Sequence, residues 1–301
     1  MTAEVAPRPT PTQWLAGARP RTLPAACSPV IAGTGLAVFE QGASWVAAVL
    51  ALVVSLALQV GVNYANDYSD GIRGTDTERV GPQRLVGSGL ASPPLVKRAA
   101  FVSFGIACLA GLALVIMTQY WWLLAVGVAA VLAAWYYTGG KHPYGYVGLG
   151  EVFVFVFFGL VAVCGTAYVQ VGKVSFATLL TGVWVGALAC AILVANNLRD
   201  IGGDQQVGKR TVATRLGDAK TRVLYVILVA LSGLLIIVVA LLTTWWALLG
   251  LAGLFLIIPA VRLVTSGAIG LALIGVLKAT GLAELASSVG FAIGLILAIA
   301  G

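Results

Sequence analysis

Residues 44–70 read SWVAAVLALVVSLALQVGVNYANDYSD, an apolar run that ends in a cluster of amide and carboxylate side chains. The apolar part is long enough to cross a bilayer core, which takes about 20 residues of α-helix. At its end, Asn63, Asn66, Asp67 and Asp70 are spaced i, i+3, i+4 and i+7, which is one face of a helix. The stretch predicts a membrane-spanning helix that brings a stripe of oxygen ligands to one side of the membrane.

The rest of the chain repeats this apolar pattern. Of its 301 residues, 60% are hydrophobic and 10% are charged, whereas soluble domains carry about 25% charged residues. A water-soluble fold is therefore excluded for most of the chain, and we predict an all-α membrane protein, a bundle of nine transmembrane helices. The apolar runs of spanning length are 22–40, 44–66, 98–117, 119–138, 148–170, 175–198, 221–242, 244–264 and 283–300.

The predicted organisation is a cytoplasmic N-terminal tail, 1–21, followed by one polytopic transmembrane domain, 22–301. The apolar stretch 267–279 is too short for a span. Because Lys278 and Glu284 bracket it, we expect a loop or a re-entrant segment there.

The basic residues indicate the orientation of the bundle. With nine spans and a cytoplasmic N-terminus, 17 of the 18 Lys and Arg residues lie on the cytoplasmic side, and Lys173 is the exception. Because cytoplasmic loops are enriched in Lys and Arg, we predict a multi-pass protein of the plasma (inner) membrane with its N-terminus and acidic loops in the cytoplasm. The net charge of +7 follows from this distribution. No nucleic-acid-binding module is recognisable, so nucleic acid is not an expected partner.

A second acidic stripe follows the sixth span. Asn197, Asp200 and Asp204 are spaced i, i+3 and i+7, again on one helix face. Seven of the 11 acidic residues fall in the two loops after spans two and six. Carboxylates at membrane depth mark functional sites, and Mg²⁺ binds carboxylate oxygens together with substrate phosphates. Two such stripes facing each other predict a Mg²⁺-dependent clamp for a diphosphate group.

Basic residues follow both stripes and are candidates to hold phosphate oxygens. Arg73, Arg79 and Arg84 come after the first stripe, and Lys209 and Arg210 come after the second. Arg binds phosphate through two parallel N–H donors, whereas Lys acts as a point charge. The alternative is that these are ordinary solvated loops, in which Asp and Asn cap helices and form turns.

A third cytoplasmic segment, between spans four and five, carries further candidates. Tyr137 and Lys141 are one helical turn apart, and Lys141 could reach a diphosphate. His142, the only histidine, is either a base or a loop residue, and its polar, open surroundings favour the second. Glu151 is a lone carboxylate just inside span five, which either pairs with a cation or contacts an acceptor substrate.

At these residues the chain resembles the UbiA superfamily of intramembrane aromatic prenyltransferases. The motif residues that carry the resemblance are Asn66, Asp67, Asp70 and Asp76, then Asn197, Asp200 and Asp204 with GKRT at 208–211. The supporting strings are ARPRTLPA at 18–25, NDYSDGIRGTD at 66–76, GPQRLVGSGL at 81–90, YTGGKHPYGYVGLGEVFVFVFFG at 137–159 and NNLRDIGGDQQVGKRTVATRLG at 196–217. Within the superfamily, the chain is most similar to the 1,4-dihydroxy-2-naphthoate polyprenyltransferases of menaquinone biosynthesis.

The resemblance implies a fold and a reaction. The nine helices would surround a central cavity that opens sideways to lipid. The reaction would transfer a polyprenyl group from polyprenyl diphosphate to 1,4-dihydroxy-2-naphthoate, with loss of the carboxylate, to give a demethylmenaquinone. The implied Mg²⁺ ligands are Asn66, Asp70, Asp200 and Asp204, with Asp76 as a further ligand. The positions implied near the diphosphate are Arg21, Arg84, Tyr137 and Lys141.

The first motif departs from the family pattern in one respect. Many members carry a third Asp four residues after the second, where this chain has Gly74. Here the third carboxylate is Asp76, six residues after Asp70. Asp76 is therefore predicted as a metal ligand from a shifted position.

The remaining roles complete the predicted site. Catalytic roles are predicted for Asp67, Asp70, Asp200 and Lys141, and further substrate contacts for Asn63, Asn197 and Lys209. We expect Asp67 or Asp200 near the acceptor. The alternatives are another acceptor, namely 4-hydroxybenzoate, homogentisate or haem, and a transporter. The clustering of the carboxylates at one face disfavours a transporter, whose charges usually lie near the bilayer midplane.

Overall fold

The computed structural model describes residues 9–74 and 84–300. Within these ranges the chain is helical and contains no β-strand. Its α-helices are α1 (Pro11–Ala18), α2 (Leu23–Phe39), α3 (Trp45–Arg73), α4 (Pro93–Thr118), α5 (Leu123–Tyr136), α6 (Gly150–Val154), α7 (Ala162–Val171), α8 (Phe176–Gln206), α9 (Val212–Leu242), α10 (Gly250–Leu254), α11 (Ile258–Thr265) and α12 (Ala272–Ala300). Short 3₁₀ turns lie at Pro20–Thr22, Tyr144–Tyr146, Trp245–Leu249 and Phe255–Ile257, and a π-helical turn lies at Phe155–Val161.

Eight segments of the described chain are long and apolar enough to cross a membrane. They are Pro11–Phe39, Trp45–Arg73, Pro93–Thr118, Gly150–Val171, Phe176–Gln206, Val212–Leu242, Trp245–Thr265 and Ala272–Ala300. They correspond to eight of the nine predicted spans. The other predicted span, 119–138, contains the apolar helix α5, whose 14 residues rise only about 21 Å.

The outer surface of the bundle is apolar. Leu109 and Phe255 are each 70% exposed, and Trp245 is 66% exposed. A soluble monomer rarely exposes such large apolar patches, whereas in a bilayer they contact the lipid. Together with the spanning segments, this surface identifies a multi-pass membrane protein.

The prediction for 267–279 is wrong over most of its length, because α12 begins at Ala272 and continues unbroken to Ala300. Glu284 does not end this helix, since it faces the bundle interior and is fully buried. Neither of its carboxylate oxygens has a hydrogen-bond partner among the described residues. Lys278 lies on the exposed side of the same helix, where a long aliphatic stem can carry the charge to the membrane surface.

Of the eight spanning segments, α8 is the most buried, whereas α3, which carries the first acidic stripe, is less buried. α3 packs mainly against α4 and α2, and α8 packs against α9, α12 and the segment from α6 to α7. The interface of α8 with its neighbours is closed by fully buried aromatic residues, among them Trp184 and Phe291, whose rings meet edge to face at 5.8 Å. This packing fixes the N-terminal half of α8 against α12.

Close backbone contact holds the segment Gly150–Val171, which runs from α6 to α7, against α8. A Cβ atom added at Gly159 would lie 2.5 Å from the Gly182 carbonyl oxygen and 2.6 Å from Gly186 Cα, which is closer than real Cβ contacts allow. Small residues permit such approaches in membranes. Gly159 lies in the π-helical turn, a feature that is frequent at functional sites.

Candidate active site

A cavity of about 210 Å³ lies between the C-terminal ends of α3 and α8. Its wall is polar at one end and apolar at the other. The polar lining residues are Arg19, Arg21, Thr22, Gln59, Asn66, Asp70, Arg84, Tyr137, Thr138, Tyr146, Asn196, Asn197, Asp200, Asp204, Lys209 and Thr211. The apolar ones are Ala25, Val154, Phe158, Ala189, Ile192, Leu193 and Leu277, beside Gly145.

The first stripe contributes Asn66 and Asp70 to this wall. Asp70 is 3% exposed, and its Oδ1 accepts a hydrogen bond of 2.7 Å from the Tyr146 hydroxyl. Its Oδ2 lies 3.5 Å from a guanidinium nitrogen of Arg84. Asn66 Oδ1 accepts a hydrogen bond of 2.7 Å from the Thr138 hydroxyl. Both side chains are thus oriented by neighbours that also line the cavity.

The other two members of the stripe, Asn63 and Asp67, are buried but do not line the cavity. Asn63 Nδ2 donates to the Ala18 carbonyl oxygen and to the Thr22 hydroxyl, each at 2.9 Å. The Asp67 carboxylate accepts the backbone N–H groups of Leu85 at 2.8 Å and of Val86 at 3.0 Å. Each residue therefore holds a neighbouring segment that carries cavity cations.

Helix geometry explains this division. Successive residues of an α-helix are rotated by about 100°, so Asp67 points about 100° away from Asn66. The spacing of the stripe covers a broad face, and only the side with Asn66 and Asp70 faces the cavity. The predicted roles of Asp67 in catalysis and of Asn63 in substrate binding stay predictions, and both side chains contact protein backbone.

The second stripe is held by side-chain partners. Both oxygens of Asp200 accept hydrogen bonds of 2.7 Å from Arg199, whose side chain is 4% exposed. Asp204 Oδ1 lies 3.8 Å from Lys209 Nζ. Asn197 Nδ2 donates a hydrogen bond of 2.9 Å to Glu151 Oε1. The two carboxylates of this wall therefore already pair with basic side chains of the protein itself.

The connection between α5 and α6 joins the two stripes. The ring of Tyr146 has Lys209 Nζ 4.4 Å and the Arg73 guanidinium 5.4 Å from its centroid, in cation–π contacts. The Tyr146 carbonyl oxygen accepts the backbone N–H of Arg210 at 2.8 Å. Arg73 also donates to the carbonyl oxygens of Thr138 and Gly140. These contacts hold the connection across the polar end of the cavity.

Tyr144, in the same connection, is a structural residue. Its hydroxyl donates to the Ala133 carbonyl oxygen at 2.8 Å, and its ring stacks on Phe153 with centroids 3.9 Å apart. Burial raises the pKa of the Tyr144 phenol well above its usual range. The phenol is therefore neutral and acts as a hydrogen-bond donor.

Three predicted residues have different positions relative to the cavity. Arg21 is exposed and lines the cavity mouth. Lys141 is exposed and is absent from the lining among the described residues, as is the neighbouring His142. The position of Lys141 does not test its predicted roles in catalysis and diphosphate binding, which stay predictions. Asp76 lies outside the described residues, so its predicted metal role stays a prediction.

The sequence reasoning missed several lining residues. Gln59 precedes Asn63 by four residues, so an extension of the same spacing would have found it. Asn196 adjoins a predicted residue and accepts from Arg199 at 2.9 Å. Tyr146 and Thr138 carry no local signal, because their contacts with Asp70 and Asn66 join residues 76 and 72 positions apart.

The donor set fits a Mg²⁺ ion that is shared with a substrate. Across residues 9–74 and 84–300, no three His, Cys, Asp or Glu side chains lie close enough together to hold a metal ion. However, Asp70, Asp200 and Asp204 line one cavity from two walls, beside the amide of Asn66. Mg²⁺ is usually bound by one or two carboxylates, and substrate phosphates and water complete its shell. The residues present therefore fit an ion that is bound jointly with a diphosphate.

Comparisons with known proteins agree with this geometry. A sequence model of the UbiA prenyltransferase family matches residues 26–268. A Mycobacterium tuberculosis protein named 1,4-dihydroxy-2-naphthoate octaprenyltransferase is 55% identical over 273 residues, which is 91% of this chain and 93% of that protein. An Escherichia coli protein of the same name is 40% identical over 215 residues, covering 69% of this chain and 70% of that protein.

A solved structure has the same fold at low sequence identity. The structure of a UbiA homolog from Archaeoglobus fulgidus bound to GPP and Mg²⁺ has a TM-score of 0.68 and 15% identity. The alignment covers 94% of this chain and 99% of that chain. The family match extends over most of the described helices, including both acidic stripes. This chain belongs to the UbiA prenyltransferase family.

Proposed function

We propose that this protein transfers a polyprenyl group from polyprenyl diphosphate to 1,4-dihydroxy-2-naphthoate, with loss of CO₂ and diphosphate, to give a demethylmenaquinol, the hydroquinone form of a demethylmenaquinone. The observation that carries the proposal is one cavity with carboxylates and cations at one end and apolar walls at the other. The names of the Mycobacterium tuberculosis and Escherichia coli relatives support this acceptor. Membership of a prenyltransferase family argues against the transporter alternative.

The diphosphate is proposed to bind at the polar end. Arg84 and Lys209 offer fixed cations there, and their charges oppose that of a leaving diphosphate. Arg19 and Arg21 add cations at the mouth. Asn66, Asp70, Asp200 and Asp204 are the proposed Mg²⁺ ligands, with Asp76 as a further one. Bound Mg²⁺ supplies Lewis-acid stabilisation of the charge that develops on the leaving diphosphate.

The apolar end is proposed to hold the prenyl chain. Val154, Phe158 and Leu193 line it, and such walls exclude water from a reactive allylic carbon. The C1–O bond breaks with its electron pair going to the diphosphate, and the ring carbon of the acceptor that bears the carboxylate bonds to C1. Loss of the acceptor carboxylate as CO₂ then restores the aromatic ring.

The predicted catalytic residues differ in the support that they receive. Asp70 and Asp200 line the cavity from opposite walls, which supports a direct role for each. Asp67 contacts backbone N–H groups, which supports a role in holding the segment that starts at Arg84. Lys141 is exposed and outside the described lining, so its proposed contribution is a screened charge at the rim of the cavity.

We also propose nine membrane crossings in the domain 22–301, with the tail 1–21 and the acidic stripes on the cytoplasmic side of the plasma (inner) membrane. Near the start of α4, Lys97 Nζ lies 5.6 Å from the Tyr68 ring centroid and 5.8 Å from that of Trp135. The start of α4 and the end of α5 are thus both near the end of α3, which supports a crossing by α5. A cavity open sideways to lipid is part of the proposal, because the donor is itself a membrane lipid.

An activity assay in detergent tests the proposal. Purified protein is incubated with radiolabelled geranylgeranyl diphosphate, Mg²⁺ and 1,4-dihydroxy-2-naphthoate, and lipid-extractable product is followed. We expect product that disappears with EDTA and in the variant Asp70→Ala/Asp204→Ala. Product with 4-hydroxybenzoate, homogentisate or haem alone would change the acceptor and retain the clamp. Folded protein that yields no product with any acceptor would refute the enzymatic function.

A further inference from the structure

The two asparagines of the cavity wall are held at opposite ends of their amide groups. Asn66, on α3, accepts a hydrogen bond through its oxygen from Thr138 at 2.7 Å. Asn197, on α8, donates through its nitrogen to Glu151 Oε1 at 2.9 Å. Because the Asn197 nitrogen faces Glu151 and donates to it, the Asn197 oxygen, on the other side of the same amide, points away from Glu151.

Asn197 stands at the boundary between the polar and apolar parts of the wall. It is 7% exposed and lines the cavity. It lies three residues before Asp200, which is about 4.5 Å along the helix, toward Leu193 and Val154. This is the level at which an acceptor ring can reach C1 of a prenyl group whose diphosphate is held at the polar end.

Among the described residues, the half-buried Glu151 has no side-chain hydrogen-bond partner other than Asn197. Its Oε2 atom is buried and has no hydrogen-bond partner among the described residues. Its Oε1 atom accepts the hydrogen bond from Asn197. A buried carboxylate with a single amide partner costs stability, and the mechanism above does not use it. Its orienting effect on Asn197 gives it a function.

We infer that Glu151 is a positioning residue that directs the Asn197 side-chain oxygen into the cavity, where this oxygen accepts a hydrogen bond from a ring hydroxyl of the aromatic acceptor. The inference rests on the proposed function. It assigns recognition of a phenolic hydroxyl to the α8 wall, one helical turn from the diphosphate site.

The test uses the full-length enzyme with Mg²⁺ and varies each substrate separately. Asn197→Asp places two carboxylates together, and we expect kcat/KM for the naphthoate to fall by about 10- to 100-fold. Glu151→Gln lets the amide turn either way, with an expected fall of about 10-fold. The KM for the prenyl diphosphate stays within about twofold in both variants, because the polar end of the cavity holds the diphosphate group.

The double variant Asn197→Asp/Glu151→Gln distinguishes orientation from packing. Here the new amide at position 151 donates to one oxygen of the new carboxylate at position 197, and the other oxygen faces the cavity again. We expect kcat/KM for the naphthoate to recover to within about threefold of the wild type. A double variant no better than the poorer single variant would overturn the inference. Recovery of thermal stability without recovery of the naphthoate KM would do the same, because it indicates a purely structural pair.

Glu284→Gln is the matched control. It also removes a buried carboxylate, but Glu284 is not among the described lining residues. We expect its KM for the naphthoate to equal that of the wild type. An equal loss in Glu284→Gln, or a loss that appears as a raised Mg²⁺ requirement in Asn197→Asp, would overturn the inference.

The two proposals fail in different ways. No product from wild-type protein with any aromatic acceptor refutes the proposed function. Product from the wild type without rescue in the double variant refutes only the role of Glu151 and Asn197. If Asn197→Asp does not fold, the outcome is decided by comparing kcat/KM for the naphthoate between Glu151→Gln and the double variant.

Discussion

The stripes on α3 and α8 both carry Asn or Asp at positions i, i+3 and i+7, yet they differ in their partners. On α3, Asp67 turns from the cavity and binds two backbone N–H groups. On α8, Asp200 and Asp204 line the cavity and pair with Arg199 and Lys209. The first stripe therefore both builds and lines the wall, whereas the second mainly presents ligands to it. The additional carboxylate of the first stripe, Asp67, which has Ile201 as its counterpart on α8, is the one that holds a neighbouring segment.

The largest expected effect tests what the stripes share. Asp70→Ala and Asp200→Ala each remove a carboxylate from one wall of the clamp. We expect kcat/KM to fall by at least about 100-fold in either variant, because each wall stabilises the leaving diphosphate. Steady-state assays over a range of Mg²⁺ concentrations provide the measurement. Either variant keeping more than about a tenth of wild-type activity would contradict a clamp made by both walls.

The next prediction tests what the stripes do not share. Asp67→Ala leaves the buried N–H group of Leu85 and that of Val86 without their acceptor, so the free energy of unfolding falls by roughly 2–5 kcal/mol. Thermal unfolding in detergent measures it. Asp218→Ala is the control, since Asp218 pairs with Arg222 but is 55% exposed, and exposed pairs contribute at most about 1 kcal/mol. Equal shifts in the two variants would show that Asp67 does not hold the segment.

A smaller effect concerns the orientation of Asp200. Arg199→Lys keeps the charge but loses the paired N–H donors that hold both carboxylate oxygens. We expect kcat/KM to fall by about 10-fold, with little change in the thermal unfolding midpoint. Activity equal to that of the wild type would mean that a point charge suffices at this wall.

The smallest expected effect on activity is that of replacing Lys141, which is compared with the replacement of Lys209. Lys209 lines the cavity beside Tyr146, whereas Lys141 is exposed and outside the described lining. We expect Lys209→Ala to lower kcat/KM by about 10-fold and Lys141→Ala to lower it by less than about twofold. Parallel assays with varied prenyl diphosphate measure both. A larger loss in Lys141→Ala would bring this residue back to the diphosphate and support the role predicted from the sequence.

Local spacing in the sequence is enough to predict eight of the spanning segments and both stripes, because helical periodicity and apolar length are local properties. It could not divide the first stripe, since the partners of Asn63 and Asp67 lie as far as 45 and 19 residues away. It missed Tyr146 for the same reason. The predicted start of the last span, residue 283, is wrong because a charged residue such as Glu284 usually marks the end of a membrane-spanning segment. Tertiary packing, which the sequence does not show, buries Glu284 inside the bundle.

The buried Glu284 has a consequence for the assembly of the protein in the membrane. A charged residue at the centre of an isolated helix raises the free energy of membrane insertion by roughly 2.5–3.5 kcal/mol, and Glu284 lies near the middle of α12. We therefore expect α12 to insert more readily beside the helices that surround Glu284 in the bundle than as an isolated segment. Membrane insertion of α12 and packing of the bundle are coupled through this one side chain.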